Sequence, residues 1–335
     1  MSGTDIGPAL RVPAREIPVP TSISPEAQAV LARGVIEGPA HPALDDLDAW
    51  RNMIAAGDQM VLGMIGSVQP EDVEVEKTDL EGTPTFVITP SGIDPADTCV
   101  YLDIHGGALI NGAGELCRVM GMRTATRFGV RVCAPDYRMP PDHPYPTPLN
   151  DCVGAYRGVL KDHPPEQIVV GGGSAGGNLA AALILRARDE GLPLPAAAVL
   201  LSPEVDLTES GDTFQTMVGV DTVGGGKSLM PVNLLYANGH DLAHPYLSPL
   251  FGDFTKGFPP TLLTSGTRDF FLSNTVRMHR ALRAAGIHAD LHVMEAGPHA
   301  GFMADTPEER ELDAEIGQFI HARLADPGAS PSTTT

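Results

Sequence analysis

The amino-acid sequence predicts an α/β fold, a mostly parallel sheet of about eight strands with helices on both faces. Three observations predict it. From residue 98 onward, short apolar runs alternate with amphipathic stretches of helical period, the pattern of strands buried on both faces and joined by helical crossovers. Ahead of them, residues 72–80 and 83–89 alternate with period two around Glu81-Gly82, which reads as a hairpin. The chain has 335 residues, 42% of them hydrophobic and 19% charged, enough for a large core and too apolar for global disorder.

Taken in order, Ser24-Pro25-Glu26 is a helix start, with Ser as cap and Pro at the first helical position. Between Leu44 and Gly66, residues such as Leu47, Trp50, Met53, Ile54, Met60, Val61 and Met64 recur at helical spacing. They give that segment an apolar face, expected mostly in the core and otherwise lining a substrate pocket. After the hairpin, strands are expected at Thr98–Ile104, Val130–Pro135, Gln167–Gly171, Ala196–Ser202, Pro260–Ser265 and Ala289–Glu295. Helices are expected at Glu115–Phe128, Thr147–Lys161, Gly176–Glu190, Ser273–Ala285 and Pro307–Ala325. Residues 207–255, rich in Gly, Asp and Pro, break this rhythm and read as an insertion with one or two helices. Residues 326–335 have nothing to bury and read as a mobile tail.

Lys and Arg number 22 against 42 Asp and Glu, a net charge of −20. This argues against nucleic acid and against anionic lipid as partners, since both need a basic face. No run approaches the ~18 apolar residues of a membrane span, and the first twenty residues have no apolar core of the kind that marks a signal peptide. Cys99, Cys117, Cys133 and Cys152 match no zinc spacing and are expected as reduced thiols in a cytoplasmic protein.

The strongest chemical signal is Gly172-Gly173-Ser174-Ala175-Gly176, a G-x-S-x-G between a strand and a helix. That setting exposes a serine on a strained turn, with small neighbours on either side and the positive end of the next helix aimed at the same point. Gly171, Gly173 and Gly176 also satisfy G-x-G-x-x-G, but the acidic partner of a dinucleotide site is missing from the next strand end. Asp189 and Glu190 come too early, while Glu204 and Asp206 come too late. A plain glycine turn is the third reading.

A serine nucleophile needs a base, and the chain order Ser…Asp…His puts it after the last strand. His299, in the loop Ala296–Phe302, fits that place and is expected to present an exposed imidazole; His279, His288 and His292 lie in helix, loop and strand. Asp269 leaves the preceding strand, 95 residues after Ser174 and 30 before His299, and would orient the imidazole; Asp206, Asp290 and Glu295 are its rivals. The N–H groups of Gly106, Gly107 and Ala175 are candidates for an oxyanion hole, a single donor of which contributes ~3 kcal/mol. If the His299 pKa stays near its reference, activity should rise through a limb at about pH 6–7.

Gly226-Lys227-Ser228 ends like a phosphate loop, but residue 221, where the opening glycine belongs, is Asp. His240 and His244 are four apart but lack the H-E-x-x-H order, and Pro245 limits a helix there. No metal or cofactor is expected.

His105-Gly106-Gly107, the run Asp136-Tyr137-Arg138-Met139-Pro140-Pro141-Asp142-His143-Pro144-Tyr145-Pro146 and Gly172–Ala180 together resemble the bacterial hormone-sensitive-lipase family (family IV) of carboxylesterases. The resemblance covers about residues 25–325. It implies an α/β-hydrolase core of residues 71–206 and 256–325 under a helical cap made from residues 1–70 and 207–255. It also implies hydrolysis of short- to medium-chain esters without metal or cofactor, and a homodimer formed at the edge of the last strand. The chain is similar as well to monoterpene lactone hydrolases within that family. It departs from the family at Gly173, where Asp or Thr is usual, and at Ala108, the third position of the HGGG loop. Amide hydrolysis on the same triad and a non-catalytic small-molecule receptor on the same fold are the alternatives. A nucleotide-dependent reductase using the overlapping glycines is a third. Met53, Met60, Met64, Met217 and Met230 are candidate pocket liners.

Overall fold

A computed structural model of the chain describes residues 9–10, 12–35, 38–65, 72–94 and 96–325, so the tail expected at 326–335 lies outside the described residues. Eight strands form the sheet: β1 (Val73–Leu80), β2 (Thr83–Pro90), β3 (Val100–Ile104), β4 (Val132–Pro135), β5 (Ile168–Gly173), β6 (Ala197–Leu201), β7 (Thr261–Gly266) and β8 (Ala289–Met294). Their order is β1-β2-β4-β3-β5-β6-β7-β8. β1 pairs with β2, and β2 with β4, antiparallel; every pair from β4 to β8 is parallel.

Among the described residues nine helices flank it: α1 (Pro25–Leu31), α2 (Leu47–Ile65), α3 (Glu115–Phe128), α4 (Thr147–Asp162), α5 (Ala175–Asp189), α6 (Thr213–Thr216), α7 (Met230–Ala237), α8 (Leu272–Ala284) and α9 (Pro307–Ala325). Side chains alternate across a strand, and here both directions are apolar. Val100, Leu102, Ile104, Ile168, Val170, Ala198 and Leu200 point to one face and pack with α4, α5 and α8. Tyr101, Val169, Ala197 and Val199 point to the other and pack with α1, α3 and α9. The helices on both faces therefore follow from strands with no polar side.

Local chemistry sets the boundaries. Ser24 caps α1 through its Oγ, which accepts the Ala27 N–H at 3.1 Å, and Glu308 in turn holds the Ser24 N–H and hydroxyl. β3 begins two residues later than expected, because Asp97 takes the Cys99 N–H at 2.8 Å and turns the chain there. α2 begins at Leu47 rather than Leu44, where Asp46 accepts the Ala49 N–H.

The apolar face of α2 is the main departure. Only Trp50 on it is fully buried, while Met60 and Met64 are 61% and 60% exposed; they are neither core nor pocket liners. A helix's period reveals that a stripe exists, not how far along it a neighbour reaches. The insertion at 207–255 contains α6 and α7 with 3₁₀ turns at Gly224–Gly226, Pro249–Phe251 and Phe254–Lys256. α2 and α7 meet over the loop that follows β3: Trp50, Ile110, Val232 and Leu235 form one buried cluster, against which Met53, Ile54 and Ala108 pack. The Asp58 carboxylate, two turns along α2 from Trp50, accepts the Asn111 amide at 2.9 Å and the Gly112 N–H at 3.0 Å. No described helix is long and apolar enough to cross a membrane.

Candidate active site

Ser174 stands between the last residue of β5 and the first of α5, with φ 55° and ψ −121°. That conformation costs an L-residue about 1–3 kcal/mol and persists only where the surroundings enforce it. Here the Leu201 carbonyl takes the Ser174 N–H at 2.8 Å, and α5 is pressed against the end of β3. A Cβ on Gly176 would lie 1.9 Å from the Ile104 carbonyl oxygen, so only glycine lets helix and strand approach this closely. The same test gives a different answer at Gly173, where a Cβ would meet only Leu201 atoms at 3.7 and 3.8 Å. Glycine is not sterically required at that departure from the family.

The loops after β7 and β8 bring Asp269 and His299 to the same sheet edge. The Ser174 hydroxyl donates to His299 Nε2 at 2.9 Å, and His299 Nδ1 donates to Asp269 Oδ1 at 3.2 Å. Asp269 is fully buried and also accepts the Ser265 hydroxyl at 2.7 Å and the Phe271 N–H at 2.8 Å. Burial alone would raise its pKa; the His299 imidazole and these donors outweigh burial and hold it below the usual carboxylate value. His299 is buried at 8% exposure, against the exposed imidazole expected, with the Phe270 and Phe271 rings edge-on at 5.3 and 4.8 Å. Burial would lower its pKa, but Asp269, Asp221 and Glu204 together raise it above 6.5. An imidazole must lose its proton before it can accept one, so a base at this position would set in above the reference value rather than near it.

Gly106 and Gly107 follow β3, and Ala175 opens α5. Among the described residues, no protein acceptor takes the N–H groups of Gly106, Gly107 or Ala175. Gly107 has φ 128°, and a Cβ there would fall 2.1 Å from the Asn111 carbonyl oxygen. His105 steadies this loop from below: its Nδ1 donates to the Gly106 carbonyl at 2.8 Å, its ring stacks on Tyr137 at 4.1 Å, and the Tyr137 hydroxyl donates to the His105 carbonyl at 2.7 Å. Ala108 holds φ 51°, a strained value for alanine. Its methyl packs against the Trp50 cluster.

The remaining sequence signals take structural places. Asp206 is paired with Arg277 at 2.6 Å, and Asp290 with His288. His244 accepts the Tyr246 N–H in a turn, and no group of metal-ligating side chains exists among the described residues. Asp136 accepts the Gly114 N–H, and Arg138 pairs with Asp151. Met217 packs beside Phe214, Phe270 and Phe271. All four cysteines are free thiols, with burial pushing Cys99 up to about 11 and Cys133 to about 12. A cavity of about 700 Å³ between α2 and residues 136–142 does not include Ser174 in its lining, and its charged liners Arg51, Asp58, Asp136, Arg138 and Asp142 all have hydrogen-bond or ion-pair partners.

Two carboxyl groups near His299 escaped the sequence reading. Asp221 appeared only as the residue that spoils a phosphate loop, and Glu204 only as a misplaced partner for a dinucleotide. Glu204 is 1% exposed, and neither carboxyl oxygen makes a hydrogen bond, although the Asn233 side chain lies beside it. Burial, reinforced by Glu209, pushes it from 4.5 to about 8. Between those values the folded protein keeps a proton that the unfolded chain has released, so stability falls with rising pH by ~1.4 kcal/mol per unit. Glu204→Gln should remove that loss: in thermal melts its Tm advantage over wild type should be small at pH 5 and grow toward pH 9. A difference that stays constant with pH would refute it.

The profile of the alpha/beta hydrolase fold family matches residues 101–303. An acetyl-hydrolase of Streptomyces hygroscopicus is 34% identical over 201 residues, covering 59% of this chain and 67% of that protein. Among solved structures, esterase E25 superposes with a TM-score of 0.85 at 33% identity, over 93% of this chain and 98% of its own. An esterase of the bacterial hormone-sensitive lipase family does so at 0.76 and 32%, over 91% and 100%.

Proposed function

Because the chain belongs to the alpha/beta hydrolase fold family, among relatives of the hormone-sensitive-lipase type, we propose that it is a serine esterase whose catalytic residues are Ser174, His299 and Asp269. The observation that carries the reading is the unbroken relay from the Ser174 hydroxyl through His299 to buried Asp269, beside three N–H groups that no acceptor among the described residues uses. His299 Nε2 takes the hydroxyl proton as Oγ bonds to the acyl carbon of the ester. The negative charge moves onto the former carbonyl oxygen, where Gly106, Gly107 and Ala175 donate to it. Asp269 fixes the imidazole in the tautomer that leaves Nε2 free and stabilises the imidazolium. The C–O bond then breaks and the imidazolium protonates the departing alcohol. A water molecule, deprotonated by His299, cleaves the acyl-enzyme and releases the carboxylic acid.

In this reading α2 and α7 are the cap, supported by their shared cluster over the loop after β3. Short- to medium-chain acyl esters, together with the cyclic esters known as lactones, are the substrate class. Free thiols fit a cytoplasmic site, and β8, an edge strand with Val293 38% exposed, fits pairing with a second copy. The test uses p-nitrophenyl butyrate and the phosphorylating ester diethyl p-nitrophenyl phosphate. Turnover should stop in step with one diethylphosphoryl group added to the peptide bearing Ser174, read by mass spectrometry. Inactivation with the label on another residue, or turnover that persists in fully labelled protein, would overturn the assignment.

A further inference from the structure

Asp221 belongs to the 207–255 insertion, yet it is fully buried against the two loops that carry the acid and the base. Its Oδ2 accepts the Phe270 N–H at 3.0 Å, and Phe270 directly follows Asp269. Its Oδ1 accepts the His299 N–H at 3.3 Å and the Val223 N–H at 2.9 Å. One carboxyl group therefore holds the backbones of both loops, one on each oxygen. The insertion grips the acid loop a second time through Thr213, whose hydroxyl donates to the Phe270 carbonyl at 2.6 Å. A group that accepts N–H donors on both oxygens favours its ionised form. Burial pushes its pKa up, Asp269 adds to that, and His299 with the Phe270 and Val223 N–H groups pulls it back.

We propose that Asp221 is a positioning residue for ester hydrolysis: it locks the Asp269 and His299 loops at their working separation and sets a second carboxylate beside the imidazole. The inference rests on the serine-esterase reading. It makes the insertion part of the catalytic apparatus rather than a cover over it. The charged and titratable groups around His299 are Asp269 from the end of β7, Glu204 from the end of β6 and Asp221 from the insertion. The Phe270 and Phe271 rings and the Ser174 hydroxyl also face the imidazole. Removing one of three carboxyl groups leaves the imidazolium less stabilised, so the imidazole should lose its proton at lower pH.

The experiment compares Asp221→Asn and Asp221→Ala with wild type on p-nitrophenyl butyrate from pH 5 to pH 9, with thermal melts alongside. Asn keeps an acceptor oxygen but no charge, and Ala keeps neither. The expected result is a fall in kcat of roughly 10- to 100-fold, the scale of a sub-ångström to ångström misplacement, with KM little changed. The acid limb should move to lower pH by about half a unit or more in both variants. The position of that limb does not depend on how much of the protein is folded, so a partly unfolded variant still reports. Wild-type kcat with an unmoved limb overturns the proposal. So does a loss of rate that only follows the loss of folded protein and leaves the limb in place. Ser174→Ala serves as the separate control: if it hydrolyses the ester normally, the serine-esterase reading falls, whatever Asp221 does.

Discussion

Ser174→Ala should lower kcat on p-nitrophenyl butyrate by about 10⁴- to 10⁶-fold, the scale found when a triad nucleophile is removed. The loss is large because the proposed reaction forms a bond at this oxygen, and no other hydroxyl is hydrogen-bonded to His299 among the described residues. The fold should survive. Alanine adopts the same strained φ no less readily than serine, the Leu201 carbonyl still takes the residue's N–H, and among the described residues the hydroxyl's hydrogen bond is to His299 Nε2 in a part-buried site. Thermal melting within a few degrees of wild type, combined with that loss of rate, is the expected pair of results. Substantial remaining turnover in protein shown to be free of wild type would exclude Ser174 as nucleophile.

Asp269→Asn should cost about 10⁴-fold in kcat, the effect of a carboxamide at the orienting position of such a triad. The carboxylate accepts from His299 on Oδ1 and from Ser265 on Oδ2, with the Phe271 N–H also on Oδ1. An amide has only one oxygen for these donors. If its NH₂ faces His299, the imidazole must present a lone pair at Nδ1 and carry its proton on Nε2, where it cannot accept one from Ser174. If it faces Ser265 instead, the tautomer survives but the imidazolium loses its counter-charge. Either outcome lowers kcat and leaves KM nearly unchanged, as steady-state kinetics near pH 8 would read. A variant within tenfold of wild type would move the orienting role to another carboxylate, with Asp221 the first to test.

The sheet was legible because its signals are local. Runs such as residues 100–104 and 168–170 are apolar on both sides, so alternation fails and length with flanking glycine decides. The strained turn at Ser174 was legible for a related reason: a serine between glycines at a strand–helix junction is a backbone constraint written in adjacent residues. Asp269 and His299 were named from their order along the chain, and the structure sets His299 between the Ser174 hydroxyl and the Asp269 carboxylate. Burial of His299 was not readable, since the Phe270 and Phe271 rings that cover it come from another loop. Nor were Asp221 and Glu204, which lie 47 and 30 residues beyond Ser174 and in no motif. The exposure of Met60 and Met64 has the same origin, because a stripe on a helix carries no information on where its cover ends.

The bond from Asp58 to Asn111 and Gly112 has a consequence for how selectivity can change in this lineage. Under the proposed esterase reading, α2 carries both a share of the cap and the carboxylate that holds Asn111 and Gly112 in the turn after β3, so reshaping substitutions there would carry a penalty in rate. α7 touches the same apolar patch but, among the described residues, makes no hydrogen bond to that turn. Mutational drift in chain-length preference is thus steered toward the second helix, where the two properties are uncoupled.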